Sequence, residues 1–257
     1  MKQLIDMVVA ENLRLSRNYS LLKLRPADDS QPLPRMLPGQ FVQVEIPDSK
    51  TTYLRRPISV CNVDDEGMLW LLVRDAGAGT HTLVNIVRGR SVNLLLPLGH
   101  GFTTGLSRDA RALLVGGGVG VAPLLYLGRV LASAGVDVHF LLGARSKDDL
   151  LLLDEFKAIG RVSVSTDDGS EGTPGVVTLN PAITEGKADM IYCCGPMPMM
   201  KAVAAIARSR DIACEVSLEN EMACGLGACL CCVEKTDEGH VCVCTEGPVF
   251  NIEKLLW

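Results

Sequence analysis

The segment LLVGGGVGVAP, residues 113–123, decides the fold of this chain. Three apolar residues lead into a glycine-rich turn, and Pro123 stands where proline is favoured, in the first turn of a helix. The segment therefore predicts a strand, a turn and a helix, the unit from which parallel sheets with crossover helices are built. The same rhythm continues along the chain, with strands predicted at residues 112–115, 136–142, 162–165, 190–194 and 214–218 and helices at 123–133, about 150–159 and 198–209.

The glycine turn is a candidate phosphate site. Backbone N–H groups at a helix start attract a diphosphate, and missing side chains let it approach closely. The spacing departs from the usual dinucleotide fingerprint, because Val121 takes the third small position, so a turn that only packs against the sheet stays the alternative. The candidate nucleotide-binding residues here are Gly116, Gly117, Gly118 and Gly120.

A second candidate follows the strand predicted at residues 190–194, at its carboxyl end, where open α/β sheets place ligands. Cys194 is followed there by Gly195 and Pro196, and its thiol could lie against a nicotinamide ring. We take Cys194 as the candidate catalytic residue, with a small buried core residue as the alternative.

The first part of the chain has a different pattern. Residues 1–105 carry short apolar or alternating runs, such as 41–46, 69–73 and 91–96, which are cut by proline and glycine and predict a small antiparallel barrel or sandwich. Two stretches in it could meet phosphate. One offers a guanidinium and a hydroxyl on an extended segment, and the other offers small residues at a turn. The first stretch is Arg56-Pro57-Ile58-Ser59, and its alternative is an exposed strand with solvated arginines. The second is residues 74–80 with Gly79 and Thr80, and its alternative is an ordinary turn.

The end of the chain carries a metal-ligand pattern. Four cysteines give C-x4-C-x2-C with a fourth cysteine downstream, which is the plant-type spacing for a [2Fe–2S] cluster: Cys224, Cys229, Cys232 and Cys244. Gly225 and Gly227 permit the tight backbone path that such a loop needs. Zinc, disulfides and unliganded thiols are the alternatives. Two further cysteines, Cys231 and Cys242, are not needed for this spacing. Cys231 in place of Cys232 would give C-x4-C-x1-C, which does not fit, and Cys242 could replace only Cys244 as the fourth ligand.

Composition limits the partners. The 257 residues suffice for one large or two ordinary domains. A net charge of −5 with both signs interspersed disfavours nucleic acid and anionic membrane surfaces. Acidic residues near the start argue against a signal peptide, and Pro123 with the glycines interrupts the uncharged run at residues 112–128, so no membrane span is predicted. Ten cysteines, six of them crowded at one end, fit a reducing cytoplasmic setting.

Taken in this order, the motifs resemble the ferredoxin–NADP reductase superfamily. With the C-terminal cysteines the chain is similar to the family of electron-transfer subunits of class 1B, NAD-dependent dihydroorotate dehydrogenases. The resemblance implies an FAD-binding β-barrel domain (residues 1–105), an NAD-binding α/β domain (106–215) and a small [2Fe–2S] domain (216–257). It assigns FAD to Arg56, Pro57, Ile58, Ser59, Leu72, Val73, Arg74, Gly79 and Thr80, NAD to Gly116, Gly117, Gly118, Gly120, Gly195 and Pro196 with Cys194, and the cluster to Cys224, Cys229, Cys232 and Cys244.

The resemblance also implies a function. An FMN-containing dihydroorotate dehydrogenase subunit would oxidise its substrate in pyrimidine biosynthesis, and its electrons would pass through the cluster and FAD to NAD, in a heterotetramer of two copies of each subunit. Two alternatives stay open: the same module in a hydrogenase, sulfide reductase or glutamate synthase complex, and a zinc-stabilised nucleotide-binding regulatory subunit. Nucleotide preference is open too, since Arg145 and Ser146 could meet the 2′-phosphate of NADP.

Overall fold

The structure, a computed structural model, describes residues 2–28 and 30–257. Within these ranges six strands close an antiparallel barrel, seven form a mostly parallel sheet and two form a hairpin. The barrel strands are β1 (Gln3–Ser16), β2 (Tyr19–Pro26), β3 (Phe41–Val44), β4 (Arg56–Val63), β5 (Leu69–Arg74) and β6 (Ser91–Leu98). The other strands are β7 (Arg111–Gly117), β8 (Asp137–Ala144), β9 (Arg161–Thr166), β10 (Thr173–Pro174), β11 (Met190–Cys194), β12 (Ala213–Ser217), β13 (Val233–Thr236), β14 (Gly239–Cys242) and β15 (Val249–Asn251).

Helices connect these strands. They are α1 (Ala78–Val84), α2 (Ala122–Ser133), α3 (Leu153–Lys157), α4 (Pro181–Thr184), α5 (Met197–Ser209) and α6 (Val243–Glu246). Single 3₁₀ turns occupy Gly118–Val121, Lys147–Asp149, Val177–Leu179 and Ile252–Lys254.

The barrel closes because β1 pairs with both β2 and β6, in the order β1-β2-β5-β4-β3-β6. Two of its strands, β6 and the first part of β1, alternate as a half-buried antiparallel sheet requires. In β1 and β6 every second side chain lies in the core: Ile5, Met7, Val9, Val92, Leu94, Leu96 and Leu98.

The sheet has the order β10-β9-β8-β7-β11-β12-β15, with β7 at its centre. The strands from β7 to β12 pair in parallel, and β15 joins β12 in the antiparallel direction. Helix α2 packs closely on β8, because a Cβ added at Gly128 would lie 2.2 Å from the ring of Phe140. That ring also meets Phe156 of α3 edge to face, with the centroids 4.8 Å apart. The glycine in mid-helix is thus explained by packing.

The fold class predicted from the sequence is confirmed, and the local differences have physical causes. The helix expected at residues 150–159 is only Leu153–Lys157, since Leu152 before it is left-handed at φ 55°. The glycine-rich stretch after β5 contains the start of a helix, α1, where only a turn was expected. The C-terminal segment also contributes a strand that the sequence did not predict, because β15 pairs with β12 in the sheet.

The chain divides into two compact units. One comprises Met1–Gly101, Asn220–Glu234 and His240–Pro248, and the other comprises Phe102–Glu219, Lys235–Gly239 and Val249–Trp257. The first therefore holds the barrel and all of the C-terminal cysteines, and the second holds the sheet. The three-domain boundaries at residues 105 and 215 stay a prediction. No helix in the described part of the chain combines the length and apolar character that crossing a bilayer requires.

Candidate cofactor sites

The predicted flavin residues meet on the barrel. β4, which carries Arg56 to Ser59, pairs with β5, which carries Leu72, Val73 and Arg74. A Cβ added at Gly79 would lie 2.9 Å from Nε of Arg56, so the first turn of α1 lies against this guanidinium. The structure thus brings together residues from two separate sequence motifs.

The two neighbouring arginines have different surroundings. Arg55 donates to the Asn93 side chain at 2.6 Å and to Glu45 at 2.9 Å, so its guanidinium is used within the barrel. Arg56 donates at 2.9 Å to the Leu54 carbonyl oxygen and keeps other N–H groups for a ligand. Arg56 is therefore the better candidate for a phosphate, in agreement with its position in the motif.

Three of the predicted flavin residues have side chains that are buried or already hydrogen-bonded. The side chains of Leu72 and Val73 are buried, so their backbone is what a ligand could reach. The hydroxyl of Thr80 accepts from the amides of Ala76 and Gly77 at 2.9 and 3.1 Å, and it thereby closes the turn before α1. The first N–H groups of α1 lack intrahelical acceptors, as at any helix start, and can donate to an anion.

The predicted nucleotide residues also come together. β7 and β11 are adjacent parallel strands, with Gly116 opposite Cys194, so the glycine turn and Cys194-Gly195-Pro196 lie at the same edge of the sheet. A Cβ at Gly120 would be 2.5 Å from the Cys194 carbonyl oxygen, and one at Gly117 would be 3.2 Å from Pro196. The small residues thus permit a backbone-to-backbone approach directly before α2.

Cys194 has a neutral thiol. Its side chain is 1% exposed, and burial first, then the carboxylate of Glu219, raises its pKa well above the ordinary value. The sulfur lies 3.9 Å from the Glu219 carboxylate, to which it can donate. A protonated thiol is a poor nucleophile, so any role of Cys194 at a nicotinamide ring is that of a small polarizable neighbour.

The cysteines of the predicted cluster form two adjacent pairs. The thiols of Cys224 and Cys229 are within hydrogen-bonding reach of each other, and so are those of Cys232 and Cys244. In the described ranges no three Cys, His, Asp or Glu side chains surround one point where a single metal ion could sit. A [2Fe–2S] cluster takes four cysteines for two irons. Four thiols on one loop and the short helix after it therefore fit this cluster by the chemistry of the donor set.

Backbone amides support this cysteine loop. Leu226 donates to Cys224 Sγ at 3.3 Å, Gly227 to Cys244 Sγ at 3.2 Å, and Cys244 to Cys232 Sγ at 3.4 Å. Gly225 and Gly227 have φ of 69° and 82°, which glycine adopts at little cost and which turn the N–H groups toward the sulfurs. The amide of Leu226 is the main reason that the pKa of Cys224 falls to about 6, so the loop favours the thiolate that iron requires.

The two pairs differ in exposure, and so do the two extra cysteines. Cys232 and Cys244 are buried, whereas Cys229 is exposed. Cys231 is exposed as well, while the thiol of Cys242 lies beside that of Cys232. One side of the predicted cluster therefore faces the surface.

One polar side chain at this site had no signal in the sequence. Gln43 of β3 is fully buried, and neither polar atom of its amide has a hydrogen-bond partner in the described part of the chain. It lies against Gly225 of the cysteine loop. A glutamine in an apolar strand reads only as an interruption of the pattern, so this position could not be recognised from the sequence.

Comparison with known families agrees with this arrangement. Residues 114–205 match the oxidoreductase NAD-binding domain, and residues 219–256 match the iron-sulfur cluster binding domain of dihydroorotate dehydrogenase B. Among similar proteins are two named "dihydroorotate dehydrogenase B (NAD(+)), electron transfer subunit". The one from Fusobacterium nucleatum is 39% identical over 95% of both chains, and the one from Shouchella clausii is 42% identical over 85% of this chain and 86% of that protein.

Solved structures show the same fold. A chain of the NADH-dependent reduced ferredoxin–NADP oxidoreductase, from work on flavin-based electron bifurcation, has a TM-score of 0.85 and 30% identity over 98% of this chain and 90% of its own. The flavohaem-like FAD/NAD-binding domain of a nitric oxide dioxygenase from Vibrio cholerae has a TM-score of 0.67 and 23% identity, over 82% of this chain and 98% of its own. The second likeness concerns the fold alone.

Proposed function

Because this chain belongs to the family of dihydroorotate dehydrogenase B (NAD(+)) electron transfer subunits, we propose that it carries electrons between NAD and a dihydroorotate dehydrogenase partner subunit. It is an oxidoreductase subunit, and its cofactors are FAD, a [2Fe–2S] cluster and NAD. The observation that carries the proposal is the 39% identity to such a subunit over 95% of both chains.

The residues of this chain bind and orient the cofactors. When bound, the flavin supplies the exchange between two-electron and one-electron transfer, and the cluster supplies one-electron transfer. The glycine turn before α2 lets the nucleotide diphosphate approach N–H groups at the helix start. Arg56 and the first turn of α1 offer donors to the flavin phosphates, and the paired thiols of the cysteine loop hold the irons.

The family name implies a catalytic dihydroorotate dehydrogenase partner. We infer further that this partner carries FMN, that the complex contains two copies of each subunit, and that it works in the cytoplasm in pyrimidine biosynthesis. Two exposed apolar side chains support docking at the cysteine loop, since Leu226 is 47% and Leu230 is 65% exposed. Such side chains beside a partly exposed redox site are suited to contact with an electron-transfer partner.

The proposal is tested with the chain alone and in its complex. The chain alone should oxidise NADH with an artificial acceptor and leave dihydroorotate untouched. Co-expression with the dihydroorotate dehydrogenase subunit encoded in the same genome should restore NAD-dependent oxidation of dihydroorotate, and the mass of the complex gives the stoichiometry. A colourless protein with zinc and no iron or flavin would contradict the proposal, as would dihydroorotate turnover by the chain alone.

The docking surface has its own test. Leu230 has a left-handed backbone at φ 58°, which asparagine tolerates better than most residues. Leu230→Asn should therefore keep the cluster and weaken the complex by about tenfold, the effect of losing about 1.4 kcal/mol of apolar contact. Val87→Asn, at a loop residue of the same unit that is 68% exposed, is the matched control. Equal affinity of both variants for the partner would move the interface away from the cysteine loop.

A second function has one observation in its favour. The chain of the NADH-dependent reduced ferredoxin–NADP oxidoreductase is 30% identical over 98% of this chain. The same module could thus serve another redox complex in place of dihydroorotate dehydrogenase. The subunit that co-purifies from the native source decides between them, because only the first function requires a dihydroorotate-oxidising FMN protein.

A further inference from the structure

Gln43 stands out among the buried polar residues of the described chain. It lies on β3 with 0% of its surface exposed, and both Nε2 and Oε1 lack a hydrogen-bond partner among residues 2–28 and 30–257. Buried amides are nearly always paired, because an unpaired one has lost its water and gained nothing in return. An exception inside a well-packed barrel therefore indicates a partner that the polypeptide itself does not supply.

The position of the side chain indicates which partner this is. A Cβ added at Gly225 would lie 2.9 Å from Cγ of Gln43 and 3.1 Å from its Nε2, so the amide packs on the backbone immediately after Cys224. The next amide along the loop, that of Leu226, donates to Cys224 Sγ at 3.3 Å. The amide of Gln43 is thus at the corner of the cysteine loop where backbone N–H groups already point to sulfur.

The strand also relates Gln43 to the predicted flavin segment. Gln43 is directly opposite Pro57 in the antiparallel register of β3 and β4, and residues opposite each other share a face of the sheet. Val42, the preceding residue, points to the other face and is fully buried. The amide therefore lies between the cysteine loop and a strand predicted to hold flavin, closest to the loop.

We propose that Gln43 donates its side-chain N–H to an inorganic sulfide of the [2Fe–2S] cluster at its Cys224 corner and thereby raises the cluster's reduction potential, an inference that rests on the proposed function. Reduction adds negative charge to the cluster, and N–H donors to its sulfurs stabilise that charge. The burial of the amide strengthens the effect, since a donor in a low-dielectric setting is not screened by water.

The test is a redox titration of the purified protein with Gln43→Met, which keeps the length of the side chain and removes the donor. Val42→Ala disturbs the same strand on its other face and is the control. EPR follows the cluster and visible absorbance follows FAD. We expect the cluster in Gln43→Met to be harder to reduce by about tenfold in the equilibrium constant, which is about 59 mV for a one-electron couple. The FAD potential should not change, and Val42→Ala should match the unchanged protein in both.

Each other outcome overturns the proposal. An unchanged cluster potential in Gln43→Met would leave the amide without a role at sulfur, and a shift of the FAD potential alone would assign it to the flavin. A second measurement needs no variant: with ¹⁵N in glutamine side-chain amides, pulsed EPR of the reduced cluster should show a ¹⁵N coupling, and its absence would contradict the assignment. Iron content and the visible spectrum separate these results from a failure of the proposed function, in which no cluster would be present at all.

Discussion

Replacing Gly120 by alanine tests the nucleotide site most directly, because the added Cβ would lie 2.5 Å from the carbonyl oxygen of Cys194. The carbonyl carbon of Cys194 and the Cα of Gly195 would both be 2.6 Å away. All three are backbone atoms at the end of a sheet strand, so they cannot rotate aside as a side chain can. The turn or the strand end must move by roughly half an ångström to relieve the overlap.

Overpacking of this kind costs about 1–3 kcal/mol. The turn before α2 is the more mobile of the two parts, since it holds a single 3₁₀ turn while β11 is paired on both sides. Its displacement moves the N–H groups that are predicted to meet the diphosphate. If this whole energetic cost is lost from nucleotide binding, the dissociation constant for NADH rises about 5- to 150-fold.

Anaerobic stopped-flow reduction of the bound flavin at increasing NADH concentrations measures this change. Gly105→Ala is the matched control, because Gly105 belongs to the same unit and its added Cβ would meet no atom within 4 Å. Reduction of the flavin by dithionite should stay the same in both variants. If Gly120→Ala shows the NADH dependence of the control and also unfolds at the same temperature, the turn does not hold the nucleotide and the close approach has no functional meaning.

Three further predictions concern the flavin, the cluster and acid stability. Gly79→Ala should displace the guanidinium of Arg56 and weaken FAD binding about fivefold, an effect of about 1 kcal/mol. Gly77→Ala, whose added Cβ would meet no atom within 4 Å, should leave FAD binding unchanged. The FAD content of the purified variants measures both. Cys229→Ser should lose iron and the cluster EPR signal but keep flavin reduction by NADH. Cys231→Ser should keep both the iron and the EPR signal, and loss of them in Cys231→Ser but not in Cys229→Ser would make Cys231 the ligand instead. Burial lowers the pKa of His139, so the unfolded chain takes up a proton near pH 6.5 before the folded one does, and stability falls as the pH drops. Between pH 7.5 and 5.5, the free energy of unfolding measured in urea should fall less for His139→Gln than for the unchanged protein. An equal fall in both would exclude His139 as the cause.

The strand, turn and helix around residues 113–123 could be predicted because local sequence and tertiary structure agree there. An apolar run needs a buried strand, glycines permit the turn, and Pro123 fits only near a helix start. The alternating run at residues 91–96 predicted a barrel strand, β6, in the same way, since a period of two places one face in the core. Both signals are local and lie within a few residues of each other.

The return of the chain to the sheet could not be predicted, because it depends on pairing between distant segments. β15 has only three residues, too few to show a period, and its register opposite β12 joins Val216 to Phe250. The start of α1 was hidden for a different reason: glycines at residues 77 and 79 favour a turn, and the helix there is stabilised by Thr80, whose hydroxyl accepts two amides. Gln43 gave no signal because the cysteine loop that it contacts, at Gly225, lies near the other end of the sequence.

The choice among neighbouring cysteines shows what the structure adds to a spacing rule. The spacing rule already favours Cys232 over Cys231, and the three-dimensional path of the chain gives an independent reason for the same choice. Leu230 before them is left-handed at φ 58°, and the chain then places Cys231 at the surface and Cys232 in the interior. Two atoms of Cys232 are held as well, since its carbonyl oxygen accepts from Val243 at 3.0 Å and its sulfur from the Cys244 amide at 3.4 Å. These bonds hold Cys232 beside Cys244, which supports Cys232 as the ligand and predicts that Cys231 can change without loss of the cluster.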